Sequence, residues 1–163
     1  MRSSQGISQK IFTAAELMRQ VRGWRLKGKK IVFTNGVFDL LHRGHIASLT
    51  EAASYGEILV VGVNADASVK QLKGNSRPVN DEQSRALLLA SLLQTDAVII
   101  FEEDTPLELI KMLMPDTLVK GGDYSVEQIA GAKEVLAAGG AVKLAGMVEN
   151  ISTTKIIEQL SKL

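Results

Sequence analysis

The stretch that decides the fold is Lys30-Ile31-Val32-Phe33-Thr34-Asn35-Gly36-Val37-Phe38-Asp39-Leu40-Leu41-His42-Arg43-Gly44-His45. Ile31 to Phe33 is an unbroken apolar run, the pattern of a strand covered on both faces. A polar loop, Thr34-Asn35-Gly36, follows directly, and from Gly44 the spacing of apolar residues becomes helical. Both histidines of the chain lie in this segment, three apart, with Gly44 between them. A helix start presents unpaired backbone N–H groups and the positive end of the helix dipole, so an anion is favoured there. Gly44 lets the backbone come close to such a ligand.

Outward from this point the chain alternates strand and helix. The spacing predicts strands at Ile31–Thr34, Ile58–Val63, Ala97–Phe101, Thr117–Val119 and Ala141–Leu144. It predicts helices at about Gly44–Tyr55, Asn80–Leu93, Thr105–Met114, Ser125–Ala138 and Thr153–Leu160. Thr105-Pro106-Leu107-Glu108 reads as an N-cap, a first-turn proline and an acid. Gly139-Gly140 reads as a helix stop. Upstream, residues 1–12 read as an extended or poorly ordered lead. Thr13-Ala14-Ala15-Glu16 has capping-box spacing, and Leu17, Val21 and Trp24 share one face of the helix it would open. The expected fold is α/β, a Rossmann-like doubly wound parallel sheet of about five strands with an extra N-terminal helix. Residues 1–28 would be the lead and a helix packed on the core, and 29–163 the main body of a single domain. Ligands of such sheets bind beyond the carboxyl ends of the strands, where strand order reverses.

Bulk properties narrow the function. Nineteen basic residues against 18 acidic ones give a net charge of +1, so no general field attracts nucleic acid or a membrane surface. Aromatics at 4% add no stacking platform for RNA. Without cysteine, disulfides and thiolate chemistry are excluded. Two histidines with no cysteine partners make no structural zinc site, and no metal ligand set is expected. There is no apolar run of membrane-spanning length, and the polar start Met1-Arg2-Ser3-Ser4-Gln5-Gly6 is no secretory signal. A cytoplasmic location and, from the prevalence of dimers among oligomers, a homodimer are the expectations.

Four segments fall after strand ends. In the first, His42 and His45 could face an anion together, or one could cap the helix while the other packs inside. The second, Asn64-Ala65-Asp66 onward, reads as a polar loop whose Lys70, Lys73 and Arg77 could close over phosphates or merely be solvated. Arg85, further on, could reach inward as a fork onto a phosphate or a carboxylate, or stand exposed on its helix. The third, Lys120-Gly121-Gly122-Asp123-Tyr124, is by itself a turn signal. The fourth, Ile151-Ser152-Thr153-Thr154, caps a helix and offers hydroxyl and N–H groups to phosphate oxygens.

In this order the segments resemble the HxGH nucleotidyltransferase superfamily, in its cytidylyltransferase-like branch, from about Lys29 to Ile157. Phe38-Asp39 with His42-Arg43-Gly44-His45, and Ile151-Ser152-Thr153-Thr154-Lys155-Ile156, carry the likeness. The resemblance implies transfer of a nucleotidyl group to a phosphate with release of pyrophosphate. Three more segments resemble the adenylyltransferases of heptose 1-phosphate: Leu72-Lys73-Gly74-Asn75-Ser76-Arg77-Pro78-Val79, Phe101-Glu102-Glu103-Asp104-Thr105-Pro106, and Val119-Lys120-Gly121-Gly122-Asp123-Tyr124. That likeness implies ATP and a sugar phosphate as substrates, ADP-heptose for lipopolysaccharide core as product, and magnesium travelling with ATP. Relatives often carry a sugar-kinase domain, for which 163 residues leave no room. Where cytidylyltransferases have Arg-Thr-Glu-Gly before the hydroxyl cluster, this chain has Met147-Val148-Glu149-Asn150, which argues against CTP.

By the same resemblance, His42, His45 and Lys73 would be catalytic. Thr34, Asn35, Gly36, Phe38, Lys120, Gly121, Gly122, Asp123, Ser152, Thr153 and Thr154 would bind the nucleotide. Asp39, Asn64, Asp66 and Arg85 would take the sugar phosphate. The rivals are a CTP-dependent enzyme for glycerol 3-phosphate or a similar phosphorylated alcohol, and a non-catalytic nucleotide sensor. Intact His42, His45 and Lys73 argue against the sensor.

Overall fold

Five strands, Ile31–Gly36 (β1), Ile58–Asn64 (β2), Ala97–Phe101 (β3), Thr117–Gly121 (β4) and Ala141–Ala145 (β5), form one parallel sheet ordered β3-β2-β1-β4-β5. The structure is a computed structural model that describes residues 5–122, 124–146, 151–160 and 162. Asp123 and the Met147–Asn150 departure lie outside the described residues. In register Ile31 sits beside Ile58, Val60 beside Ala97, and Thr117 beside Ala141. Four strands run further than the sequence predicts, because their polar ends keep pairing: Asn35 lies beside Gly62, and Gly121 beside Ala145.

Alternate strand residues feed two cores. On one face Ile31, Phe33, Val60, Ala97 and Leu118 pack with Leu17, Ile110 and Val135. On the other, Val32, Leu59, Val61, Val98 and Val119 pack with Leu49, Ala86 and Leu89. Burial on both sides is why the strands read as continuous apolar runs rather than alternating ones.

From Gln5 on the lead is ordered, contrary to expectation, and residues 1–4 lie outside the described residues. Gln5–Ser8 (α1) makes one helical turn, and Ile11 forms a parallel bridge with Val98 at the sheet edge. Val98 donates to the Lys10 carbonyl and accepts from Phe12 N–H, at 2.8 and 2.9 Å. Ala14–Leu26 (α2) follows, with the Thr13–Glu16 capping box formed and Leu17 and Val21 buried. Arg43–Ala53 (α3) connects β1 to β2.

The connection after β2 is also not a loop. Asp66–Lys73 (α4) is helical and ends at Gly74, whose φ of 91° favours glycine. Glu82–Ala90 (α5), capped by Asp81, is shorter than predicted. Leu107–Leu113 (α6) begins one residue after Pro106 and ends at a left-handed Met114. The predicted helix over 125–138 is two pieces, a 3₁₀ turn at Val126–Gln128 and Ala132–Ala137 (α7). Gly131 separates them at φ 84°, and a Cβ there would lie 2.7 Å from Ile110. Helix α7 closes in a Schellman motif, with Gly140 N–H on Val135 O and Gly139 N–H on Leu136 O. Thr153–Leu160 (α8) matches its prediction.

From β1 the chain builds outward through β2 to β3, then returns to β4 on the other side of β1. Connections after β1 and β4 therefore leave in opposite directions, and a crevice opens at their carboxyl ends.

Candidate active site

The crevice holds two lobes of about 490 and 370 Å³. Both are bordered by Val37, Phe38, His45, Lys73 and Gly121, so the lobes meet there. His42, Ser152, Thr153 and Thr154 line the smaller lobe; Thr34, Asn35, Gly36, Asn64 and Lys120 line the larger.

The histidines owe their placement to the helix start. His42 is the N-cap of α3, and its Nδ1 accepts from Gly44 N–H at 3.1 Å. This satisfies one of the unpaired N–H groups of the first turn and leaves Nε2 as the donor of the neutral ring. Capping and ligand binding thus coexist in one ring. His45, in the first turn, stacks on His42 with ring centres 3.9 Å apart and meets Phe38 edge-on at 5.4 Å. Phe38 takes a left-handed φ of 50°, which turns its ring beneath His45. Burial, then the neighbouring His42, push the His45 pKa down to about 4, against a weaker pull from the Leu40 carbonyl. Burial also lowers that of His42. Nδ1 of His45 is buried without a hydrogen-bond partner.

Helix α8 starts opposite. Thr153 Oγ1 donates to Leu40 O at 3.4 Å, and Ser152 Oγ accepts from Lys155 N–H at 3.2 Å, capping the helix. That bond joins residues 113 apart in sequence and holds the start of α8 against the loop before α3. Lys73, the last residue of α4, is exposed at the seam of the two lobes.

The residues expected on the sugar side divide. Asn64 lines the larger lobe and donates from Nδ2 to Ser68 Oγ at 3.0 Å. Asp39 borders the smaller lobe, but its carboxylate is taken by Arg77 Nε at 2.6 Å and the N–H groups of Val79 and Asn80. Asp66 and Arg85 line neither lobe. Arg85 is fully buried and donates to Asp66 Oδ1, Val37 O and Asn80 O. It ties the start of α4 to the backbone at Val37 and Asn80, and of the alternatives the sequence offers it is the inward fork onto a carboxylate. Among the described residues no three His, Asp or Glu side chains converge to hold a metal. No described helix is long and apolar enough to cross a membrane.

Sequence reading assigned no role to Asp104, Thr105 and Gln128, which line the larger lobe with Tyr124. The signal for the first two was available. They follow the end of β3, where the rule for parallel sheets places ligand contacts, and they fall in a segment of family resemblance, but their local pattern reads as a helix start.

Comparison with known proteins gives the family. The model of the cytidylyltransferase-like family matches residues 33–159. The chain belongs to the cytidylyltransferase-like family, and it is a nucleotidyltransferase. It is 54% identical over 150 residues to the bifunctional protein HldE of Koribacter versatilis, covering 92% of this chain and 31% of that one. It is 49% identical over 156 residues to the HldE protein of Pseudomonas paraeruginosa, covering 96% of this chain and 33% of that one. The chain therefore spans about a third of the length of these relatives. A lipopolysaccharide core biosynthesis protein from Thermoplasma volcanium superposes with a TM-score of 0.59 at 30% identity, over 76% of this chain and all of that one. Pantoate-beta-alanine ligase from Francisella tularensis, at 15% identity and a TM-score of 0.60, covers 94% of this chain and 78% of that one and shares the fold.

Proposed function

We propose that the chain transfers the adenylyl group of ATP to the phosphate of D-glycero-β-D-manno-heptose 1-phosphate, giving ADP-heptose and pyrophosphate. One observation carries the reading: two imidazoles, Lys73 and the hydroxyl-rich start of α8 surround one lobe. The segments around Lys73, Thr105 and Lys120 that resemble heptose 1-phosphate adenylyltransferases support the acceptor, as does the likeness to the lipopolysaccharide core biosynthesis protein of Thermoplasma volcanium.

A non-bridging oxygen of the sugar phosphate attacks the α-phosphorus. The bond from that phosphorus to the bridging oxygen of the β-phosphate breaks, and pyrophosphate leaves with the electron pair. The attacking phosphate is already anionic near neutral pH, so positioning and charge stabilisation supply the catalysis. Nε2–H of His42 and the ring of His45 would meet the α-phosphate oxygens. Lys73 would neutralise the leaving group, and Ser152, Thr153 and Thr154 would hold the β- and γ-phosphates. Magnesium would enter with ATP, its ligands coming from phosphate and water.

A pyrophosphate-release screen tests this, crossing ATP, CTP, GTP and UTP with heptose 1-phosphate, other sugar 1-phosphates and glycerol 3-phosphate. Highest kcat/KM for ATP with heptose 1-phosphate is the expected result. A preference for CTP with glycerol 3-phosphate would overturn it, and nucleotide binding without pyrophosphate release would make the chain a sensor.

A further inference from the structure

Helix α4 carries Lys73 to the seam of the two lobes without packing that end of itself. Only Ser68 and Val69 of α4 are buried, and Leu72 and Lys73 stand exposed beyond them. What holds the chain there is polar and lies just downstream. Arg77 N–H bonds to Gly74 O at 3.1 Å, closing a turn directly after Lys73. A turn closed this way keeps its end Cα atoms within about 7 Å of each other. Past the turn the chain is taken up by Asp39, which is 1% exposed. Asp39 Oδ2 accepts from Arg77 Nε at 2.6 Å, and Oδ1 from the N–H groups of Val79 and Asn80 at 2.8 and 3.0 Å. Its backbone carbonyl accepts from Asn80 Nδ2 at 2.8 Å.

Resting on the reaction above, we infer that Asp39 is a positioning residue: with Arg77 it clasps the segment after α4 to the loop after β1 and so holds Lys73 against the histidines. Asp39 lies three residues before His42 and next to Phe38, whose ring meets that of His45 at 5.4 Å. One loop thus supports the imidazoles directly and the lysine through the clasp. Arg85 backs the arrangement, donating to Asn80 O at 2.9 Å and to Val37 O at 2.6 Å. A reaction driven by placed charge needs Lys73 and the imidazoles at a fixed spacing, since misplacement by ~1 Å can cost ~10²-fold in rate. Asp39 acts on that spacing without touching ATP or the acceptor. This withdraws it from the sugar phosphate, and both of its carboxylate oxygens are already engaged by residues 77–80.

The test is a double-mutant cycle of Asp39→Asn with Lys73→Ala, read by pyrophosphate release and by calorimetry of magnesium pyrophosphate alone. Asp39→Asn keeps an oxygen for the Val79 and Asn80 N–H groups and gives up the acceptor for Arg77 Nε. It should lower kcat by about 10- to 100-fold and weaken pyrophosphate binding by about 10-fold, with the acceptor KM within about twofold. In the Lys73→Ala background the same change should cost no more than about twofold, because the group it positions is gone. Arg77→Met cuts the pair from the other side and should repeat this pattern, which keeps the cycle available should Asp39→Asn fail to fold. Arg77→Lys returns a cation to Oδ2 and should recover part of the loss. Additive losses in the double variant, as a merely structural role gives, would overturn the clasp. So would a rise in the acceptor KM with kcat unmoved. Absence of pyrophosphate release from the unaltered protein would instead strike the reaction itself. Calorimetry still judges the clasp in that case: additive weakening, or no binding by the unaltered protein, ends the proposal.

Discussion

The imidazoles of His42 and His45 lie nearly parallel, 23° apart in plane and 3.9 Å between centres. Two rings this close and this buried resist carrying two positive charges, so the pair is uncharged at neutral pH. It meets an arriving triphosphate as neutral donors rather than as a fixed double cation.

Replacing His45 by alanine should lower kcat by at least ~10²-fold, the usual effect of deleting one donor to a transition state. His42→Ala should also destabilise the protein by ~1 kcal/mol, since His42 caps α3. His42→Asn retains a capping group, so its melting temperature should recover while turnover stays low. Steady-state pyrophosphate release and thermal denaturation separate the two effects. Equal turnover in His45→Ala and the parent would remove His45 from the chemistry.

The depressed histidines make stability depend on pH. Unfolded, His45 binds its proton near pH 6.5; folded, near pH 4. Between these values the unfolded chain holds the extra proton, so this contribution is lost as pH falls from about 6.5 and levels off below about 4. His42 acts in the same direction. Urea midpoints of the parent should fall more steeply over that window than those of His45→Gln, and parallel curves would contradict the assignment. Phosphate beside the rings favours their charged forms, so MgATP binding near pH 5.5 should take up protons. Calorimetry in two buffers of different ionisation enthalpy reads this directly.

Arg85 should behave as a structural residue. Its guanidinium joins Val37 O, Asp66 Oδ1 and Asn80 O, so Arg85→Met strands three acceptors and should cost ~3 kcal/mol or more in chemical denaturation. Arg85→Lys supplies a charge without the fork and should recover only part. Unchanged stability in Arg85→Met would mean that the network is dispensable.

Lys73 carries no ion pair among the described residues and borders both lobes. Lys73→Ala should therefore reduce kcat and weaken ATP binding with little change in melting temperature. A large loss of stability with unaltered kinetics would assign it to α4 instead.

What could be read from the chain follows a physical division. The strand at Ile31, the first turn at His42 and the cap at Thr13 are local patterns, and each reads directly from neighbouring residues. Helix α4 does not: of Asp66-Ala67-Ser68-Val69-Lys70-Gln71-Leu72-Lys73 only Ser68 and Val69 are buried, a stripe too narrow to separate from a polar loop. The Ile11–Val98 bridge and the Asp39–Arg77 pair depend on segments 87 and 38 residues apart, and no local spacing encodes either. The family resemblance puts Asp39 on the sugar phosphate. Its hydrogen bonds go to residues 77–80, whose position only the folded chain reveals.

The central position of β1 has one further consequence. The crevice floor grows from β1 and β4, each hydrogen-bonded on both flanks, whereas its sides are furnished by short attachments, α4, the turn behind β3 and the opening of α8. Foundations and furnishings are thus separable. A change in which phosphorylated compound is accepted can be made by exchanging those attachments, leaving the framework that aligns the reacting atoms intact.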